Sequence, residues 1–485
     1  MPQKSLKKNA FYNFIRSFMN LAFPIISFPY ASRILMPDGI GKINFANSVI
    51  DYFIMFAGLG ITSYAAREAA KIRDNPVKLN KFSREILLIN GVSTIIAYIL
   101  FAVSLLCIPK LHDYRILLII CSSKILFITI GLEWLYTVEE EYRYITLRSA
   151  FFQIVSMAFL FIFVRSKNDY IAYAVMGIIS NAGMNVCNIM YARKFINVFE
   201  KTTLEIKKHI KSISTFFGMA CAGKIYSAMD TVMLGFMIDD SAVGYYTAAN
   251  KIRRLVVQMI TAITATLLPR SSYYIEQHQI QKYDDMVKKA IGIVSFFSFP
   301  ATAGLIVIGK PLIVVFSGVQ YLPALPVLYC MAPIIITVSF TSFLDNVILT
   351  PNRNERFILY SQIFGNILNI VLNLILIPRW GVFGAGLSTL IVEFSITVIQ
   401  LFCSLSNLKK FLLYIGKQIF QSFIGAIAMY VSVRFLIRII PSTALQIAAG
   451  VLAGSTIYAA VEIALRNDTA KLLLASVSRR IIHKR

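Results

Sequence analysis

The stretch RILLIICSSKILFITIGLEWLYTV, residues 115–138, decides the fold class. A bilayer-spanning helix needs about 20 mostly apolar residues, and this run is long enough. Yet Lys124 and Glu133 sit inside it. A second run, FFGMACAGKIYSAMDTVMLGF (216–236), holds Lys224 and Asp230, and Asp345 and Glu393 lie in two later apolar runs. A charge at bilayer depth costs about 2.5–3.5 kcal/mol on insertion scales, so such residues face a bundle interior or a watery cavity. The pattern points to a transporter and away from a passive anchor.

Composition agrees. Of 485 residues, 57% are hydrophobic and 15% charged, with a mean hydropathy of +0.68. Soluble domains carry about a quarter charged residues. Apolar runs recur from Phe11 to Leu465 with no soluble domain between them. We read an all-α integral membrane protein with fourteen transmembrane helices, at approximately 11–35, 43–63, 86–107, 115–137, 145–164, 170–191, 213–237, 243–268, 288–308, 327–349, 357–377, 383–404, 418–440 and 444–465.

The net charge of +24 fits cytoplasmic loops rich in Lys and Arg and not nucleic-acid binding. Alternate loops separate sharply. One set holds Lys4, Arg67, Lys71, Lys78, Lys81, Lys207, Lys208, Lys211, Lys409, Lys410 and the basic tail; the other holds little beyond Lys42, Lys110, Arg165, Lys167, Lys310 and Arg379. Both termini are therefore expected in the cytoplasm. The basic stretch Arg193 to Lys211 is expected to lie on anionic lipid. The N-terminus has no clean apolar h-region or small-residue cleavage site and reads as the first span. Six cysteines form no metal spacing and read as small hydrophobes. No metal and no cofactor is expected, and no Walker A motif points to ATP.

An internal repeat sets the organisation. GKINFAN (41–47) and GYYTAAN (244–250) both read G-x-x-x-x-A-N and open the second and eighth spans. Two pseudo-symmetric six-helix lobes follow, 1–212 and 213–417, with helices 13–14 and a basic tail in 418–485. Transporters with parallel repeats bind substrate near the midplane. Pro24, Pro29, Pro300, Pro326 and Pro333 are kink or hinge positions.

Six stretches, FPYASRIL (28–35), GLGITSY (58–64), DTVMLGF (230–236), VGYYTAANKI (243–252), NIVLNLILIP (369–378) and GVFGAG (381–386), together resemble the polysaccharide-repeat-unit (O-antigen type) flippases of the multidrug/oligosaccharidyl-lipid/polysaccharide exporter superfamily. The resemblance covers nearly the whole chain. It implies a two-lobed fold in the bacterial cytoplasmic (inner) membrane. It also implies export of undecaprenyl-pyrophosphate-linked oligosaccharide by alternating access, coupled to protons. The implied partners are that lipid-linked substrate, membrane lipids, a polysaccharide polymerase and a chain-length regulator.

Such a substrate needs a hydrated cationic cavity for its head group, because polar groups lose water in hydrocarbon. Arg offers a planar fork to phosphate and Lys a point charge. The candidate cations are Arg16, Arg33, Lys124, Lys224, Lys251 and Arg254, with Arg253 and Arg434 also noted; Arg16, Arg33 and Arg434 lie near span ends and equally suit snorkelling. Asn366, Asn369 and Asn373 form one helical stripe, which suits glycan hydroxyls or interhelical hydrogen bonds. Asn250 joins them as a substrate-binding candidate. Asp51, Glu133, Asp230, Asp345 and Glu393 are candidates for proton coupling or ion pairing, and Glu462 is a further buried acid. Two other functions compete. A small-molecule or drug antiporter of the same superfamily predicts an acid-dominated cavity. A membrane glycan polymerase or glycosyltransferase predicts a large extracytoplasmic loop, and the longest candidate here runs only from Gly309 to Pro326.

Overall fold

The computed structural model describes residues 6–197 and 203–472. Lys4, Lys201 and the tail beyond residue 472 lie outside the described residues. All fourteen expected spans are helical. The first unit holds α1 (Leu6–Gly58), α2 (Ile61–Ala70), α3 (Pro76–Cys107), α4 (Arg115–Ile130), α5 (Glu133–Val138), α6 (Tyr142–Phe163), α7 (Tyr170–Ala192) and α8 (Lys207–Met237). Then come α9 (Asp240–Ala265), α10 (Ile280–Val307), α11 (Leu325–Met331), α12 (Ile334–Phe343), α13 (Glu355–Cys403), α14 (Leu412–Ile439) and α15 (Thr443–Ala464). Two compact units, Met1–Gly244 and Tyr245–Arg485, divide the chain within α9.

Among the described residues, nine helices are long and apolar enough to cross a bilayer, ten if the bent pair Val319–Met331 and Ile334–Leu349 is one span. Two of them hold two expected spans each. The loop expected between the first two spans is a single break at Met36 (φ 61) inside α1. Pro37 follows, and a proline restricts the residue before it while removing a hydrogen bond. The loop after span 11 is likewise one residue, Gly381 (φ 53), inside α13. Span 2 ends at Gly58, earlier than expected. Leu59 (φ 46) and Gly60 (φ 66) turn the chain into the short amphipathic α2.

Large apolar side chains such as Phe14, Ile95, Leu106, Phe151 and Ile154 are exposed on the outer faces. In water such a surface would aggregate; in lipid it is solvated. This is a multi-pass membrane protein. In the first unit α1 is central and packs against α3, α4, α6 and α8. Close approach to α8 depends on Gly235, where a Cβ would fall inside the Phe45 ring. In the second unit α10, α14 and α15 pack together.

Candidate functional site

Within the first unit, helical spacing carries polar side chains onto inward faces. Arg16 and Asn20 are four residues apart on α1, Asn47 and Asp51 four apart beyond its break, Ser149 and Gln153 four apart on α6, and Asn181 and Asn185 four apart on α7. Residues four apart share a helix face. All eight line one cavity of about 590 Å³, together with Lys124, Glu133 and Arg148. That volume is within the usual range for ligand sites, but most such sites are largely apolar. This one is polar and ionic.

Three cations and two carboxylates line it. Glu133 Oε1 accepts from Arg16 Nη2 at 2.8 Å and stands 3.8 Å from Arg148 Nη2. One carboxylate thus faces two guanidinium groups. Lys124 Nζ donates to Asn47 Oδ1 at 2.6 Å and has no carboxylate within ion-pairing distance among the described residues. Its charge is free for an incoming anion. Asp51 is paired with Lys224 on α8, 2.9 Å away. Gln153 Nε2 donates to Asn20 Oδ1 at 2.8 Å.

A helix break aims Glu133 into the cavity. Span 4 stops at Ile130 and restarts as α5 at Glu133, across Gly131 and Leu132 (φ 45). Interrupted spans survive in lipid only where neighbours satisfy the freed backbone. Here Asn188, fully buried, does so: its Nδ2 donates to the Gly131 carbonyl, and its Oδ1 accepts from Arg148 Nη1. Its own carbonyl accepts from the Tyr136 hydroxyl. Arg148 also lies over the Tyr144 ring, 5.5 Å from its centre. Beneath the cavity an aromatic layer closes the unit: Trp134, next to Glu133, meets Phe82 edge-on at 5.8 Å, and Phe82 adjoins Tyr64.

The structure thus brings Arg16, Lys124, Asp51 and Glu133 together and places Lys224 behind Asp51. Arg33 is exposed and donates to the Pro29 carbonyl. Asp230 is buried in α8. In the second unit Arg254 is exposed and Lys251 half-buried on α9, while the neighbouring Arg253 is buried and donates to Asn250 Oδ1 at 2.7 Å. Asn373 Nδ2 donates to Asn369 Oδ1 at 3.1 Å, and Asn369 Nδ2 reaches Ser388 Oγ at 3.5 Å across the Gly381 break. Asn366 is half-buried one turn before them. Asp345 lies in the first turn of a π-helical segment, Leu344–Leu349, and Glu393 and Glu462 are buried. Arg434 donates to the Tyr430 hydroxyl on an exposed face. The second unit also has an apolar groove of about 580 Å³ between α10, α14 and α15, lined by Gly304, Gly450 and Gly454 among larger apolar side chains.

Reading the sequence missed Arg148, Asn20, Asn90, Gln153, Asn181 and Asn185. Arg148 was legible by the test that picked out Lys124, a charge inside an apolar run. Ser149, Gln153 and Ser156 beside it recur at i, i+4 and i+7, a polar stripe on one helix face.

Fold and cavity together define a polytopic helical membrane protein with a cationic internal site. The chain belongs to the polysaccharide biosynthesis protein family, whose model matches residues 6–275. It is 25% identical over 406 residues to an Escherichia coli (strain K12) protein named for O-antigen transport, covering 82% of this chain and 96% of that one. A Haloferax volcanii protein named as a flippase is 26% identical over 176 residues, 34% of this chain and 35% of that protein. The fold matches a solved structure of the lipid II flippase MurJ, inward closed, with a TM-score of 0.74 at 16% identity over 94% of this chain and 98% of that one. A multidrug resistance MATE family transporter matches with a TM-score of 0.61 at 14% identity over 81% and 96%.

Proposed function

We propose that this chain is a flippase that moves undecaprenyl-pyrophosphate-linked oligosaccharide repeat units across the bacterial cytoplasmic membrane. The observation that carries the reading is the cavity with Lys124, Arg16 and Arg148 in a chain of this family. Lys124 and the two guanidinium groups hold the pyrophosphate, since charge-assisted bonds to phosphate are about twice as strong as neutral ones. Asn20, Asn181, Asn185 and Gln153 offer amide donors and acceptors to sugar hydroxyls. No bond in the substrate is made or broken, so the role is transport and not catalysis.

Alternating access exposes the cavity to each side of the membrane in turn. Asp51 and Glu133 are the acids that line it, and they are the proposed proton carriers. When Asp51 protonates, Lys224 loses its partner, which ties protonation to the contact between α1 and α8. Both termini lie in the cytoplasm in this proposal, a reading supported by the Lys and Arg asymmetry of the loops. The lobes of helices 1–6 and 7–12 are the proposed moving parts. A polymerase and a chain-length regulator are the proposed partners. In a host lacking its own flippase, Lys124→Ala at normal protein level is expected to abolish surface polysaccharide and Lys124→Arg to keep part of it. Full activity of Lys124→Ala would overturn the cationic site. Proton flux in vesicles that ignores added lipid-linked substrate would overturn coupling.

A further inference from the structure

Below the aromatic layer, at the end of the first unit where α3 and α8 begin, lies a second pocket of about 530 Å³. Its floor is a buried relay. The Tyr64 hydroxyl meets His209 Nδ1 at 2.6 Å, and His209 Nε2 meets Glu85 Oε2 at 2.8 Å. All three side chains are at least nine-tenths buried. They anchor α2, α3 and α8 to one another, so the lysines above them project from fixed helices.

The charges of this pocket can be assigned one by one. Glu68 is held by Arg67 and Lys71 at 3.0 and 2.8 Å. Glu85 is held by His209, by Lys208 at 3.4 Å, and by the Glu205 backbone N–H at 2.8 Å. Lys78 lines the pocket with no carboxylate in ion-pairing reach among the described residues. Lys81 on α3 and Lys208 on α8 converge on one further group, the Glu205 carboxylate, at 2.7 and 3.1 Å. Glu205 stands on the short coil entering α8, with its side chain more than half exposed.

We infer that Lys78, Lys81 and Lys208 form a binding site for a phosphate group, borne by a lipid headgroup or by a soluble phosphate, and that Glu205 is its internal stand-in. Two ammonium groups from different helices holding one carboxylate, with a third beside them, is the arrangement that a phosphate fills with more charge and more acceptor oxygens. Exchange is easy because an exposed ion pair contributes little net stability. The inference is independent of the transport reading, since its readout is binding.

The test uses the full chain in nanodiscs, with lysine acylation followed by mass spectrometry and Lys110, just beyond the other end of α3, as the internal control. In phosphatidylcholine alone, Glu205→Gln is expected to raise labelling of Lys81 and Lys208. Adding phosphatidylglycerol or inorganic phosphate is expected to restore protection, with half-saturation about tenfold lower than in the wild type, the effect of one removed charge-assisted competitor. Protection by phosphatidylglycerol alone identifies a lipid headgroup; protection by phosphate as well identifies a soluble ligand. Protection by neither overturns the inference. Should Glu205→Gln not fold, Lys81→Gln in the otherwise wild-type chain serves, with retained phosphatidylglycerol and binding of inorganic phosphate to the purified protein both read: a loss in either supports the site, and no change in both overturns it.

Discussion

Glu133→Gln separates an electrostatic role for the cavity from a merely structural one. The substitution keeps the shape of the side chain and removes the charge that faces Arg16 at 2.8 Å and Arg148 at 3.8 Å. Unit charges about 4 Å apart attract by about 4 kcal/mol at an effective dielectric of 20. Arg16 and Glu133 are 29% and 45% exposed, and exposed pairs retain about 0–1 kcal/mol; Arg148 is only 5% exposed and less screened. About 1–2 kcal/mol is therefore the hold that an entering anion must overcome. Releasing it also raises the cationic excess of the lining. Affinity for pyrophosphate is expected to rise about tenfold, at about 1.4 kcal/mol per decade. Thermal stability is expected to fall, because buried Arg148 loses the one carboxylate it faces among the described residues. Calorimetric titration of inorganic pyrophosphate into the full chain in zwitterionic nanodiscs at low salt reads the affinity, since salt screens exposed charges. The gain should shrink in an Arg16→Ala background. Affinity that is unchanged or weaker in Glu133→Gln refutes competition between carboxylate and substrate for the guanidinium groups.

Three further outcomes are expected. Asn188→Ala strips Arg148 and the Gly131 carbonyl of their buried partner, so stability should fall by about 2–4 kcal/mol, measured by thermal unfolding in detergent against Asn181→Ala as a cavity-facing control. Gly235→Ala places a Cβ inside the Phe45 ring and should cost about 1–3 kcal/mol of overpacking, read in the same assay. Glu205 is held at about 2, against its ordinary 4.5, chiefly by the hydrogen bond from Lys81 and then by that from Lys208. A depressed carboxylate pKa contributes stability above the unfolded value that is lost as pH falls through the folded one. Because this carboxylate is exposed to solvent, the stability difference between wild type and Glu205→Gln should be small, present in full above about pH 4.5 and shrinking toward pH 2, as followed by unfolding temperature against pH.

Much of this was readable before the structure. Apolar run length located the long spans, because the bilayer demands it; the runs at 115–137 and 213–237, interrupted by charge, form helices that fall short in length and in apolarity respectively. Charges within the runs pointed to the interior because lipid excludes them, and Arg16, Lys124, Asp51 and Glu133 do share one cavity. Backbone breaks were not readable. Met36 and Leu132 take positive-φ conformations that only their neighbours justify, and the Leu132 break is what aims Glu133. Pairing was not readable either: Lys224 lies far from Asp51 in sequence, and one contact between α1 and α8 joins them. The asparagine stripe on α13 looked equally fit for sugar or for a neighbouring helix. Asn369 and Asn373 are in fact buried against each other and Ser388.

The central claim is that the first unit's cavity holds the pyrophosphate. Binding of undecaprenyl pyrophosphate to the full chain in nanodiscs, wild type against the Arg16→Ala/Lys124→Ala double variant, tests it most directly. Two lost charge-assisted contacts at about tenfold each predict an affinity about a hundredfold weaker. Equal affinity in a double variant that unfolds at the wild-type temperature would contradict the account.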